Sequence, residues 1–318
     1  MLEAVLLGTG GMLPLPGRWL SSLLVRSGGH LILFDCGEGT QVAWRVTGWG
    51  FRKLSAICIS HTHADHIAGL PGLLHAAANS GRTEPVPIFG PPGTGAVVAG
   101  LRTIAPDLPY SAPVNELEDG ATFSLPGGLS GTVAAGLHGM EVIAYRLDLP
   151  RRPRFLVDRA EALGVPRDRW RALQAGTPVE AGGRIIRPDE VTGPPRPGLS
   201  LAYVTDTRPL PRLADLARGA DLLVCEGTYG DDADRPKAIE RRHMTFAEAA
   251  ALASAAEARR LWLTHFSPAL DDPEGWRESA AAVFPEVTVG RAGLREKLAF
   301  RDDPGAAADG GAAGHDRG

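Results

Sequence analysis

The chain has 318 residues, of which 44% are hydrophobic and 22% are charged, and its formal net charge is −4. These proportions are typical of a globular protein with one large α/β domain or two small ones, and the mild negative charge does not by itself indicate a nucleic-acid-binding protein. No stretch approaches the roughly 20 apolar residues that a membrane-spanning helix needs, so we expect no membrane partner.

The first predicted element is a strand over residues 2–7, so we expect no signal peptide. The three cysteines, Cys36, Cys58 and Cys225, are isolated, odd in number and embedded in apolar or motif-like segments. This pattern favours reduced thiols over a disulfide framework. We therefore expect a cytoplasmic protein.

The first third of the chain predicts short strands that pair through tight turns. The glycine-rich turn at residues 8–11 resembles a phosphate cradle, but no helix with a Walker lysine follows, so a structural turn explains it better. Residues 21–26 and 30–34 predict a hairpin through Ser27-Gly28-Gly29. Residues 54–60 are apolar and partly β-branched, which predicts a buried strand, and a helix over 67–78 follows.

The later elements alternate between strands and helices. We predict helices at 96–104, 213–218 and 246–259, the last capped by Thr245 with Glu248 three residues later. Further strands are predicted at 86–90, 121–125, 129–135, 141–147, 199–205, 221–225 and 260–264. Alternating helices and hairpin-paired strands favour an α/β fold in which a layered sheet sandwich is covered by helices.

Two segments differ in composition from the rest. Residues 149–197 are rich in Pro, Gly and Arg, and we expect a protruding arm or insertion rather than core. Residues 151–196 contain ten Arg and six acidic residues, a net charge of +4, which suits a phosphate backbone but also a solvated Arg-rich face. The Ala/Gly tail, residues 301–318, is predicted to be disordered. The remaining chain to residue 300 is expected to form one domain that carries the arm.

Three imidazoles and a carboxylate crowd into six residues between a predicted strand and a predicted helix. They are His61, His63, Asp65 and His66. In α/β folds, ligands gather beyond the carboxyl ends of strands, where this loop lies. Imidazole and carboxylate are common ligands of divalent metals. A metal site explains the cluster better than chance crowding on a solvated turn.

Three further polar residues follow predicted strands: His138, Asp206 and His265. Taken alone, each histidine could be an ordinary hydrogen-bonded residue and the aspartate a turn cap. Together with the cluster they make seven ligands, too many for one tetrahedral zinc but suitable for two metals about 3.5–4 Å apart with a bridging carboxylate. His30 and His75 lack such a setting, and we interpret them as structural.

The motifs resemble those of one enzyme family. His61-Thr-His-Ala-Asp-His66 is similar to the HxHxDH signature of the metallo-β-lactamase superfamily. Phe34-Asp-Cys-Gly-Glu-Gly-Thr-Gln41, Thr205-Asp-Thr-Arg208 and Leu263-Thr-His-Phe-Ser-Pro268 resemble its ribonuclease Z family, and the blocks occur in that family's order to about residue 300. The resemblance implies the αββα four-layer sandwich of the superfamily, with an arm inserted in it.

The resemblance also implies an activity and residue roles. The family cleaves the 3′ trailer from precursor tRNA and leaves a 3′ hydroxyl. His61, His63 and His138 would hold one zinc ion, and Asp65, His66 and His265 the other, with Asp206 bridging. Asp65 would also be the general base, and His243, oriented by Glu226, would assist the leaving oxygen. The arm would bind tRNA through arginines that include Arg151, Arg152, Arg154, Arg167, Arg169 and Arg171.

The family is typically a homodimer, and zinc suits its ligand set first and manganese second. Two other functions stay open at this point. The chain could hydrolyse another phosphodiester or a small ester, or it could be a catalytically silent RNA-binding protein. A complete ligand set with His243 and Glu226 argues against silence, because a binding module has no need of them.

Overall fold

The computed structural model of the protein describes residues 1–301; the predicted tail, 301–318, therefore lies almost entirely outside the described residues. Sixteen strands are present among them: β1 (Leu2–Gly8), β2 (Ser22–Ser27), β3 (His30–Phe34), β4 (Leu54–Cys58), β5 (Ile88–Gly90), β6 (Val114–Glu116), β7 (Thr122–Leu125), β8 (Leu129–Ala135), β9 (Ile143–Arg151), β10 (Val179–Ala181), β11 (Arg184–Ile186), β12 (Arg196–Val204), β13 (Leu222–Glu226), β14 (Leu261–Thr264), β15 (Val287–Val289) and β16 (Arg295–Leu298).

Ten α-helices connect these strands within the described part of the chain: α1 (Thr40–Arg45), α2 (Ala64–Ile67), α3 (Leu70–Asn79), α4 (Thr94–Leu101), α5 (Val157–Ala162), α6 (Trp170–Gln174), α7 (Pro211–Leu216), α8 (Arg235–Arg241), α9 (Phe246–Ala255) and α10 (Arg277–Ala281). The capping box predicted for α9 is present: the Thr245 side chain accepts from the Glu248 N–H, and the Glu248 carboxylate accepts from the Thr245 N–H. Such a cap stabilises a helix by about 0.5–2 kcal/mol.

Two seven-stranded sheets form the layered sandwich. The first has the order β16-β1-β2-β3-β4-β5-β6, and the second has the order β15-β14-β13-β12-β9-β8-β7. In the first sheet β3, β4, β5 and β6 run parallel, and in the second β12, β13, β14 and β15 do. Parallel strands deliver their following loops to one edge, and both sheets do so here.

Strict alternation of side chains along the strands builds three apolar layers. In β12, Leu201 and Tyr203 pack between the sheets, whereas Ala202 and Val204 face the layer that contains α7, α9 and α10. In the first sheet the outward side chains pack against α1, α3 and α4 instead. Because both faces of the central strands are covered, the predicted buried strands read as continuous apolar runs. The αββα sandwich expected from the resemblance is confirmed.

The chain divides into two compact units. One contains Met1–Leu149 and the chain from Leu199 onward, and the other is Pro150–Gly198, nearly the segment predicted as an arm. This second unit contains α5, α6 and the hairpin β10-β11. The sequence predicts an arm or insertion here, and the unit has a small apolar cluster of its own, formed by Ala160, Val165, Leu173, Val179, Ala181, Ile186 and Val191. Its few apolar residues are too widely spaced in sequence to reveal this cluster by periodicity.

Candidate active site

Loops after four strands bring the predicted ligands together. His61 and His63 follow β4, Asp206 follows β12, and His265 follows β14, while His138 comes three residues after β8. The structure corrects one detail of the prediction. Asp65 and His66 are not on an open loop, because the chain already turns into α2 at residue 64. This single helical turn aims the carboxylate and the imidazole toward the partners described next.

One group of ligand atoms forms what we call the second half-site: Asp65, His66 and His265. In a tetrahedral zinc site with bonds of about 2.0 Å, ligand atoms lie about 3.3 Å apart. The Nε2 atoms of His66 and His265 are 3.3 Å apart. The remaining distances are also close to that value. Asp65 Oδ2 lies 3.4 Å from His66 Nε2 and 3.5 Å from His265 Nε2, and Asp206 Oδ2 lies 3.2 Å from each of these two nitrogens.

The other group forms the first half-site: His61, His63 and His138. The Nδ1 atom of His63 lies 2.9 Å from His61 Nε2 and 3.3 Å from His138 Nε2. Asp206 Oδ1 is 4.0 Å from His61 Nε2 and 3.9 Å from His138 Nε2. The two oxygens of the one carboxylate therefore face different half-sites, which is the geometry that a bridging ligand needs.

The charges of the site suit divalent cations. Burial alone would raise the pKa of Asp206, but the imidazoles of His265, His66 and His61 hold it well below its usual value. Burial lowers the pKa of His61 and of His138, which keeps these rings neutral and able to bind a metal. Burial would lower the pKa of His66 too, but the neighbouring Asp206 and Asp35 carboxylates raise it well above its usual value. Imidazole and carboxylate side chains are the ligands that zinc takes in proteins. The residues present therefore fit the metal group that the motif implies.

Hydrogen bonds behind the ligands fix their orientation. Asp35 Oδ2 lies 2.8 Å from His66 Nδ1, and Thr228 Oγ1 lies 3.2 Å from His265 Nδ1. The Met12 N–H donates to Asp65 Oδ2 at 2.7 Å. Partners of this kind select the tautomer and aim the ligand atom of a metal-binding residue. None of them was predicted as a site residue, although Asp35 carries the same signal as Asp206, an acidic residue directly after a strand.

Backbone geometry shows how tightly the site is built. Asp35, Asp206 and His265 have φ values of 57°, 51° and 59°, a left-handed conformation that non-glycine residues seldom adopt and that costs about 1–3 kcal/mol. A Cβ atom at Gly11 would lie 2.5 Å from Cε1 of His265. The glycine turn at residues 8–11 is thus explained by its contact with a ligand histidine, as a structural turn and not as a phosphate cradle.

His243 and Glu226 form a buried pair beside the metal ligands. His243 Nδ1 lies 3.1 Å from Glu226 Oε2 and 3.8 Å from Asp206 Oδ1. Glu226 also accepts hydrogen bonds from the Thr207 and Met244 N–H groups and from the Thr228 hydroxyl. Burial would lower the pKa of His243, but the Glu226 carboxylate raises it to about 9. This histidine is therefore held protonated near neutral pH, as an acid must be.

The six arginines predicted to bind RNA all lie in the second unit. Arg152, Arg154, Arg167, Arg169 and Arg171 are exposed, and Arg151 is half-buried. Arg167 pairs with Glu161 at 3.0 Å and lies over the Trp170 ring at 5.5 Å, and Arg169 pairs with Asp168 at 3.7 Å. Part of the positive charge counted from the sequence is thus balanced within the unit itself.

The chain is similar to known proteins over nearly its whole length. The model of the metallo-beta-lactamase superfamily matches residues 20–198, and that of the beta-lactamase superfamily domain matches 172–266. The ribonuclease Z of Lachnospira eligens is 44% identical over 95% of this chain and all of its own, and that of Lachnoclostridium phytofermentans is 43% identical over 92% of this chain and 96% of its own. The crystal structure of the short form of human tRNase Z has a TM-score of 0.68 at 23% identity, and covers 94% of this chain and all of its own.

Fold and site together define a hydrolase of the metallo-β-lactamase superfamily. The resemblance noted in the sequence is confirmed at this level, and divalent metal use follows from the fold and from the His/Asp clusters. Within the superfamily, the chain belongs to the ribonuclease Z family.

Proposed function

We propose that this protein is a zinc-dependent endoribonuclease that removes the 3′ trailer from precursor tRNA and leaves a 3′ hydroxyl. The observation that carries the proposal is the convergence of seven ligand side chains with the His243–Glu226 pair at one edge of the sandwich. The identity of 42–44% with proteins named ribonuclease Z supports the substrate.

The proposed cofactor is two zinc ions per chain, with Mn²⁺ as an alternative. His61, His63 and His138 would hold one ion and Asp65, His66 and His265 the other, with Asp206 between them. When bound, such ions lower the pKa of a water molecule toward about 7 and neutralise charge on a phosphate. The near-tetrahedral separations of the second half-site support this assignment.

The protein's own groups would move the protons. Asp65 is ionised, because hydrogen bonds with His265 and His66 outweigh its burial and lower its pKa, so its carboxylate can accept a proton from the attacking water. His243, held protonated by Glu226, would donate a proton to the leaving oxygen. A carboxylate base and an imidazolium acid in one site match the needs of phosphodiester hydrolysis.

The experiment that tests the function uses two substrates with the zinc-loaded protein. One is a precursor tRNA with a 3′ trailer, and the other is bis-p-nitrophenyl phosphate. Cleavage of both, with a 3′ hydroxyl on the tRNA, is the expected result. Turnover of the small diester without cleavage of the tRNA, at low salt and with metal content verified, would contradict the RNA assignment and favour the alternative phosphodiesterase. Loss of both activities would favour the silent RNA-binding protein.

We further propose that residues 149–197 are a tRNA-binding arm. Arg154 and Arg171 are exposed there, and contacts with phosphates would bring affinity without sequence selection. Replacing both by Gln should raise KM for precursor tRNA, lower the slope of log affinity against log salt by about 1–2, and spare the small diester. An exposed pair on the other unit, Arg212 and Arg218, supplies the matched control. An equal KM increase in the control would contradict a special role of the arm.

We also propose that the protein is located in the cytoplasm and forms a homodimer. All three cysteines are free and buried, which suits a reducing compartment. Among residues 1–301, no helix has the length and apolar character to cross a bilayer. Light scattering coupled to gel filtration tests the dimer: a mass of one chain at micromolar concentration would contradict it.

A further inference from the structure

One buried carboxylate lies behind both half-sites. Asp35 is fully buried and has four hydrogen-bond contacts. Its Oδ1 accepts from the Ser60 N–H at 2.7 Å, and its Oδ2 lies 2.9 Å from the Ser60 and Tyr203 hydroxyls and 2.8 Å from His66 Nδ1. The Ser60 N–H and the Ser60 and Tyr203 hydroxyls donate to these oxygens, and His66 Nδ1 is placed to donate as well.

The direction of these bonds determines the proton positions on two metal ligands. The single proton of the Ser60 hydroxyl goes to Asp35, so the hydroxyl oxygen is left as an acceptor. His61 Nδ1 lies 3.1 Å from that oxygen and must therefore carry its proton there. His66 Nδ1 carries a proton for the same reason. In the neutral form of each ring Nε2 would then be the nitrogen without a proton, and Nε2 is the atom that faces the other ligands.

We propose that Ser60 is a positioning residue that transmits the orienting effect of Asp35 to His61. A single carboxylate then prepares one ligand of each half-site, His66 directly and His61 through the Ser60 hydroxyl. Tyr203 and the Ser60 N–H hold the carboxylate itself in place. The Ser60 hydroxyl oxygen is also 3.5 Å from His66 Nδ1, but that nitrogen keeps its shorter contact of 2.8 Å with Asp35. Loss of the Ser60 hydroxyl should therefore weaken metal binding at the first half-site alone, whereas loss of the Asp35 carboxylate should weaken it at both half-sites. The inference rests on the proposed metal ligands and is independent of the RNA substrate.

The first test measures metal binding by Ser60→Ala. Zn²⁺ affinity is obtained by competition with a chromophoric chelator, and Co²⁺ is added separately to record its absorption spectrum. We expect one of the two ions to bind roughly 10–100-fold more weakly, the usual loss on removing an outer hydrogen-bond partner of a ligand, and the other to keep its affinity. Ser60→Thr keeps a hydroxyl and should restore most of the loss.

Ser55→Ala is the matched control. Ser55 is buried on β4, the strand that leads to Ser60, and its Oγ lies 3.0 Å from Nδ1 of His30, a histidine outside the metal site. This variant should keep both metal affinities. Equal weakening in Ser55→Ala and Ser60→Ala, or two wild-type affinities in Ser60→Ala, would overturn the proposal.

Asp35→Asn separates the roles further. It should lower the affinity for both ions. Tyr203→Phe, which removes one donor to Asp35 and keeps the ring, should lower both affinities to a smaller degree. Weakening of the second half-site alone in these variants would contradict transmission through Ser60. A wild-type protein that binds fewer than two ions would overturn the metal assignment itself, whatever its activity on RNA.

Discussion

The two half-sites are built from similar residues, but their side chains differ in burial and in the hydrogen bonds that orient them. In the second half-site each ligand has a close partner behind it, and His66 and His265 are fully buried. In the first half-site His63 and His138 are partly exposed, and the His138 ring has a longer contact, 3.4 Å from Nδ1 to the Arg242 carbonyl oxygen. Because preorganised ligands lose less freedom on binding, we expect the second half-site to bind metal more tightly.

The largest effect is expected where the half-sites meet. Asp206→Ala removes the carboxylate that faces both, so turnover of the small diester should fall at least about 10⁴-fold, the scale seen when a group acts as a unit with its neighbours. Metal analysis should find fewer than two ions per chain. Asp215→Ala, which removes an exposed carboxylate paired with Arg218, is the control and should keep full activity. Two tightly bound zinc ions in Asp206→Ala would refute the bridging role.

His243 lies beside both half-sites, and its removal should spare metal while slowing cleavage. His243→Ala should reduce the rate on precursor tRNA by roughly 10²–10⁴-fold, the usual contribution of a general acid. The reduction should be far smaller for bis-p-nitrophenyl phosphate, because p-nitrophenolate leaves readily without a proton. Equal losses on the two substrates would argue against proton donation. Glu226→Gln should show the same pattern to a lesser degree.

Single-ligand variants compare the half-sites directly. His63→Ala should retain one tightly bound ion. His265→Ala should release its more tightly bound ion at a chelator concentration about 10-fold or more below the one that His63→Ala requires. In the wild-type protein, graded chelation should release the two ions in separate steps. Simultaneous release, or the reverse order in the variants, would show that burial and outer hydrogen bonds do not rank the half-sites.

The smallest effect concerns the fit of one ring. Gly11→Ala would place a Cβ atom 2.5 Å from Cε1 of His265, so the imidazole or the turn must shift. We expect the metal affinity of the second half-site to fall a few-fold and that of the first to stay unchanged, as measured by the same chelator competition. Gly50→Ala, where a Cβ atom meets nothing within 4 Å, is the control. Unchanged affinity in Gly11→Ala would mean that the turn can move freely away from the ring.

The sequence predicted the sandwich, which the structure confirms, and seven candidate ligands at the strand ends, because these signals are local. Apolar runs predict buried strands, and polar residues directly after such runs predict a site at the strand ends. Ser60 and Tyr203 were missed because they carry no such signal. Asp35 does carry it, but only the pairing of β3 with β4 places it beside Ser60. The short strands β6, β15 and β16 were missed as well, since they depend on neighbours distant in sequence.

The left-handed backbone at Asp35, Asp206 and His265 limits which residues can ever replace them. Glycine and asparagine adopt that conformation most readily, while β-branched side chains are strongly disfavoured. In relatives that have lost catalytic activity, Gly or Asn should therefore replace these three residues more often than any other residue does. Such a change at Asp206 would preserve the fold while removing the charge between the half-sites. It would identify a catalytically inactive relative from its sequence alone.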